Sequence, residues 1–157
     1  MKTVLVIDDE QDVADVVAEA ICEGVPGIKC DVVVDFAKAE ERIIELKPDA
    51  IVLDLMEGNE STILPGEVTW RSVWNHTFCP IIIYTGSDAD LKPAVPPGHP
   101  FVRRIKKGSG TGKVVAETLV GFAPALKIVQ DLRDEVEAVI QQVLRDTAGE
   151  GHVQLEE

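Results

Sequence analysis

The strongest constraint on this chain is an alternation: short, wholly apolar runs take turns with segments whose apolar residues recur at helical spacing. Thr3 to Ile7 has the character of a strand buried on both faces, and acids end it at Asp8-Asp9-Glu10. Val13, Val16, Val17, Ala20 and Ile21 then mark a helix that stops at Gly24, with Pro26 and Gly27 just beyond. Cys30 to Val34 predicts a second strand, and Phe36, Ala39, Ile43 and Leu46 a helix that begins after Asp35 and ends before Pro48. Ala50 to Leu55 predicts the third strand. A polar loop from Met56 to Leu64 follows, and Pro65-Gly66 opens a helix carrying Trp70, Val73 and Trp74. Pro80 to Thr85 and Phe101 to Ile105 complete five strands. Pro93, Pro96, Pro97 and Pro100 forbid a regular helix of ordinary length between the last two. A flexible link from Gly108 to Gly112 leads to a final helix from Val114.

Strands alternating with helices imply an α/β fold, a doubly wound parallel sheet of five strands whose ligands gather at the carboxyl ends. At those ends the sequence places Asp8, Asp9, Asp54, Thr85, Lys106 and Lys107. Three carboxylates brought together repel one another unless a cation relieves them. Mg²⁺, a hard ion that takes oxygen ligands and keeps open positions, is the natural partner, and Mn²⁺ suits the same oxygen site. A carboxylate can attack phosphorus to give an acyl phosphate, a reaction that needs positioning and charge neutralisation above all. A lysine supplies a compact positive charge for one phosphoryl oxygen, a threonine hydroxyl a hydrogen bond to another, and Gly86 leaves room beside them.

Composition narrows the field. The 157 residues carry 15 basic and 28 acidic side chains, a net charge of −13, which argues against nucleic acid or an anionic membrane as partner. An apolar share of 45% is enough for a conventional core. Cys22, Cys30 and Cys79 form no CxxC pair, so neither a disulfide framework nor a zinc knuckle is expected, and a reducing cytoplasm fits best. No apolar run reaches membrane-spanning length, and the first residues lack the pattern of an export signal. Gly108-Ser109-Gly110-Thr111-Gly112-Lys113 misses the phosphate-loop spacing, since Lys107 stands where glycine is needed and Val114 where Ser or Thr is. No phosphate loop follows the first strand, so a flavin- or nucleotide-binding reading has no support.

Val4-Leu5-Val6-Ile7-Asp8-Asp9-Glu10, Asp49-Ala50-Ile51-Val52-Leu53-Asp54-Leu55, Tyr84-Thr85-Gly86 and Lys107, in that order and at those intervals, resemble the response-regulator receiver domain. The resemblance covers roughly residues 1 to 123. It implies a flavodoxin-like sheet of order 2-1-3-4-5 and phosphorylation at Asp54 by a sensor histidine kinase or a phosphotransfer partner. Asp8, Asp9 and Asp54 would bind the metal, with the Met56 backbone carbonyl as a further ligand. Thr85 would be the switch hydroxyl and Lys107, favoured over Lys106 by the interval from the threonine, the phosphate-binding lysine. Such a chain is no enzyme beyond catalysing its own phosphoryl transfer. The sequence departs from the pattern in a longer loop after Asp54 without Met-Pro, in the proline-rich segment standing for the fourth helix, in Gly108 where proline usually follows the lysine, and in Arg104 at the aromatic switch position. The alternative is a receiver-like dimeric scaffold that no longer switches.

Plainer readings stand beside these. Asp8 and Asp9 could merely cap a helix. Trp70 and Trp74, four apart, read as helix-face packing. Arg103, Arg104, Lys106, Lys107 and Lys113, without an intervening acid, read as an edge strand protected by charge, over a docking surface for acidic partners.

Beyond the receiver-like region, Ala125, Val129, Leu132, Val136, Val139 and Val143 alternate in steps of four and three, a heptad stripe over three repeats. Ile128, Ile140 and Leu144 widen it, which leaves open a dimer, a four-helix arrangement, or packing back on the domain. Pro124 either starts this helix or interrupts an extension of the previous one. The expected organisation is a domain over 1–123, an amphipathic helix over 124–148 serving dimerisation or docking, and a flexible tail over 149–157. So short an appendage leaves protein-protein contact as the output.

Overall fold

The computed structural model describes residues 1–55, 65–88, 90, 94–96 and 98–153. In chain order it contains β1 (Thr3–Ile7), α1 (Gln11–Gly24), β2 (Lys29–Val33), a 3-10 turn (Phe36–Lys38), α2 (Ala39–Leu46), β3 (Ala50–Leu53), α3 (Pro65–His76), β4 (Ile81–Thr85), β5 (Val102–Lys106) and α4 (Thr111–Val153). All strand pairs are parallel and the sheet order is β2-β1-β3-β4-β5, the topology the resemblance implies. The chain divides into two compact units, Met1–Ala123 and Pro124–Glu157.

Position in the sheet explains each strand's composition. The central strands β1, β3 and β4 are apolar almost without interruption because helices cover both of their faces, and Leu5, Ile7, Ile51, Leu53, Ile81 and Ile83 are fully buried. The outer strands are mixed. On β2, Asp31 pairs with Arg42 of α2. On β5, Arg103, Arg104 and Lys106 are exposed, and the Arg103 guanidinium donates to the Val102 carbonyl at 3.1 Å, occupying part of the edge that another strand would need.

Helix α1 buries Ala14, Val17 and Ile21. It meets the start of α4 so closely that a Cβ on Gly24 would lie 2.7 Å from the Cβ of Ala116. Helix α2 ends at Lys47, whose φ of 46° is left-handed, and Pro48 prevents continuation. In α3, Trp70 enters the core, whereas Trp74 is 39% exposed, stacks on His99 and donates its indole N–H to the Cys79 carbonyl at 2.8 Å. Between β4 and β5 no helix occurs among the described residues. Pro124 lies inside α4 and does not start a new helix. The loop over 56–64 lies outside the described residues. No helix of the described residues is long and apolar enough to cross a membrane.

Candidate functional site

Backbone pairing carries on one residue beyond the strand ends, and this assembles the site. Asp8 N–H donates to Val33 O at 3.1 Å, Asp54 N–H to Ile7 O at 2.9 Å, and Lys107 N–H to Thr85 O at 3.0 Å. Asp54 therefore sits just past β3, beside the end of β1, where its side chain clears the apolar layers of the sheet. Lys107 is held beside Thr85 in the same way.

The side chains converge. Carboxylate oxygens of Asp8, Asp9 and Asp54 all lie within 4.8 Å of one another. Lys107 Nζ reaches Asp8 Oδ2 at 2.7 Å and Asp54 Oδ2 at 3.0 Å. Asp8 Oδ1 also accepts the Glu10 N–H at 3.0 Å, so the aspartate ties down the turn into α1 as well as facing the cluster. Asp9, Glu10, Asp54, Thr85, Gly86, Ser87 and Lys107 line an open cleft of about 280 Å³. Thr85 Oγ1 accepts the Ser87 N–H at 3.2 Å, and a Cβ on Gly86 would touch nothing within 4 Å. Lys106 points elsewhere, to the exposed Asp88 at 2.9 Å. Arg104, at the aromatic switch position, donates to the Ser87 carbonyl at 2.6 Å. Two basic residues of β5 thus grip the loop that follows Thr85.

Burial pushes the Asp8 carboxyl above its ordinary value, although hydrogen bonds from Lys107 and Glu10 work the other way. For Lys107, burial works to lower the pKa, and the hydrogen bonds to Asp8 and Asp54 outweigh it, leaving the ammonium more firmly charged than usual. Three carboxylates face one ammonium among the described residues of the cluster. That imbalance, in an all-oxygen donor set open to solvent, fits a hard divalent cation. Asp8, Asp9 and Asp54 would hold it. The Met56 carbonyl lies outside the described residues.

One contributor was missed in the sequence. Gly66, at the start of α3, donates its N–H to Leu55 O at 3.1 Å, and a Cβ there would lie 2.0 Å from the Asp54 carbonyl oxygen. Only glycine lets the helix abut the backbone that carries Asp54. The Pro65-Gly66 pair signalled a helix start but not this approach across the fold.

An open, doubly wound α/β sheet with an acid cluster and a lysine at its carboxyl rim defines the class. Within that class the chain has the response-regulator receiver fold. It is similar to the signal receiver domain of a LuxO repressor from Vibrio parahaemolyticus, with 19% identity over 83% of this chain and 95% of the other, at a TM-score of 0.62. It is also similar to the response regulator domain of CheB from Thermotoga maritima, at 25% identity over 81% and 97% with a TM-score of 0.55. The response regulator TrrA of Thermotoga maritima, solved in complex with Mg(2+)-BeF, matches at 20% identity over 78% and 99% with a TM-score of 0.59. No protein-family model and no curated protein matches the sequence.

Proposed function

We propose that this chain is a two-component receiver in the cytoplasm that takes a phosphoryl group onto Asp54 from a sensor histidine kinase or a phosphotransfer protein. The observation that carries the reading is the Asp54 carboxylate in a solvent-open cleft, 3.0 Å from Lys107 and grouped with Asp8 and Asp9. An Asp54 carboxylate oxygen attacks phosphorus, the P–N bond to the donor histidine breaks, and an acyl phosphate forms. Lys107 neutralises charge on one phosphoryl oxygen. Thr85, its hydroxyl hydrogen free to rotate while the oxygen accepts from Ser87, can donate to another. Bound Mg²⁺ would supply charge neutralisation for the carboxylates and the incoming anion. Beyond its own phosphoryl transfer the chain performs no catalysis.

Output runs through protein contacts, including formation of a homodimer by the C-terminal helix, whose apolar residues are exposed. Arg104 on the Ser87 carbonyl, where an aromatic would otherwise swing, favours one alternative, a dimeric scaffold that no longer switches. Intact-mass measurement after treatment with acetyl phosphate separates the two. A receiver gains one phosphoryl group per chain only with Mg²⁺ and loses that capacity in Asp54→Ala, whereas absence of labelling in the unsubstituted chain would reject the proposal.

A further inference from the structure

Two free cysteines meet on the face of the sheet that α1 covers. In β2, Asp31 pairs with Arg42 of α2, and Val33 packs against the core cluster that holds Ala39 and Ile43, so both side chains face α2. Strand alternation turns Cys30 to the opposite face, toward α1. On α1, Ala14, Val17 and Ile21 are buried, and Ala20 and Gly24 make the close approaches to Gly112 and Ala116 of α4. Cys22 lies about 160° around the helix from both Ala20 and Gly24, on the flank turned away from α4 and toward the β2 edge. There its thiol interacts with that of Cys30, which is half-buried while Cys22 is exposed. We propose that Cys22 and Cys30 form a redox-sensitive dithiol site that closes to a disulfide in the presence of a small disulfide such as oxidised glutathione. The inference is independent of phosphorylation and of self-association.

Access sets the order of the two steps. The exposed Cys22, as thiolate, attacks one sulfur of oxidised glutathione, whose S–S bond breaks and releases one glutathione thiolate. The Cys30 thiolate then attacks the Cys22 sulfur of the mixed disulfide and expels the second glutathione. Two protein thiols are oxidised, one glutathione disulfide is reduced to two thiols, and the two cysteine protons pass to the departing glutathiones. Burial and the neighbouring thiol push Cys30 up to about 12, which makes it a poor first nucleophile, and its place beside Cys22 is what supplies the second step. Cys79, only 1% exposed, is shielded from the exchange. The bond ties the last turn of α1 to the start of β2. That is the end of the sheet opposite the acid cluster, since Asp8 N–H meets Val33 O at the far end of β2. A single reversible link of this kind suits a reducing compartment, where disulfides serve sensing and not a framework.

The test treats the folded, reduced full chain with oxidised glutathione at about pH 8, blocks the remaining thiols with N-ethylmaleimide in denaturant, and reads intact mass and non-reduced peptide maps. Expected is a 22–30 link within one chain, seen as a loss of about 2 Da before blocking, with maleimide on Cys79 alone and full reversal by dithiothreitol. In Cys30→Ser the mixed disulfide should persist, as one glutathionyl group on Cys22. In Cys22→Ser, Cys30 should remain unmodified over the time in which the unsubstituted chain is converted. A glutathionyl group that stays on Cys22 of the unsubstituted chain without the 22–30 link overturns the proposal. So does a chain that keeps all its thiols, a link to Cys79, or a link between chains. Glutathionylation of Cys30 in Cys22→Ser as fast as conversion of the unsubstituted chain overturns the order of the steps.

Discussion

Asp8 carries two opposing duties, since it is buried, which disfavours its charge, and it faces both Lys107 and the acid cluster. A carboxyl whose folded pKa is raised contributes stability that is complete below its ordinary value of 3.8 and is lost as pH rises through the raised value. Ionised Asp8 therefore weakens the metal-free protein at neutral pH. Asp8→Asn is expected to melt higher than the unsubstituted chain in EDTA at neutral pH, by about 2–4 °C for each kcal/mol relieved. That advantage shrinks as the pH falls toward the ordinary carboxyl value, and Mg²⁺ should raise the melting point of the unsubstituted chain but not of the variant. A thermal melt in which the variant is less stable in EDTA would contradict this. Lys107→Ala should slow labelling by acetyl phosphate on the order of 10-fold or more, while Lys106→Ala, which loses only the exposed contact to Asp88, should leave the rate unchanged. Asp8, Asp54 and Thr85 were legible in the sequence as polar residues at the ends of apolar runs, with Asp9 next to Asp8, whereas Lys107 follows a mixed strand and stood out by its interval from Thr85. Their pairing geometry was not legible, since Lys106 and Lys107 differ only in the direction the strand gives them.

At the scale of elements, the strands could be read within a residue or so because burial on both faces demands an unbroken apolar run, as in β1 and β4. The expected third strand ran on to Leu55, but β3 stops at Leu53, and Asp54 is the polar residue that leaves the apolar layers. What sequence periodicity could not reveal is where two elements touch. Gly66→Ala should destabilise the chain by about 1–3 kcal/mol in urea unfolding and reduce labelling of Asp54, because a methyl group collides with backbone that cannot yield. Gly121→Ala is the contrast: a Cβ there meets nothing within 4 Å, and removing a helical glycine should stabilise by about 0.5–1 kcal/mol. The cysteines also report on packing. Burial, with the neighbouring Cys22 thiol, pushes Cys30 up to about 12, and burial pushes Cys79 up to about 12. At about pH 8 only the exposed Cys22 should be alkylated quickly in the native chain, with three thiols reacting after denaturation, as counted by mass.

The whole molecule joins an apolar-cored unit, Met1–Ala123, to a unit whose apolar residues lie on the surface. The first was legible as a fold because five strands, their polar ends and the intervening helices all agreed. The second was legible only as a stripe in search of a partner, because a heptad repeat does not say what it packs against. A chain ending at Ala123 should keep Mg²⁺-dependent labelling and lose self-association, as measured by light scattering. Phosphoryl acceptance falls to one carboxylate in the larger unit, and tandem mass spectrometry after acetyl phosphate treatment with Mg²⁺ locates the modified residue. The phosphoryl group is expected on Asp54, in an acyl linkage cleaved by hydroxylamine. A phosphoryl group found on any other residue, or on none, would contradict it.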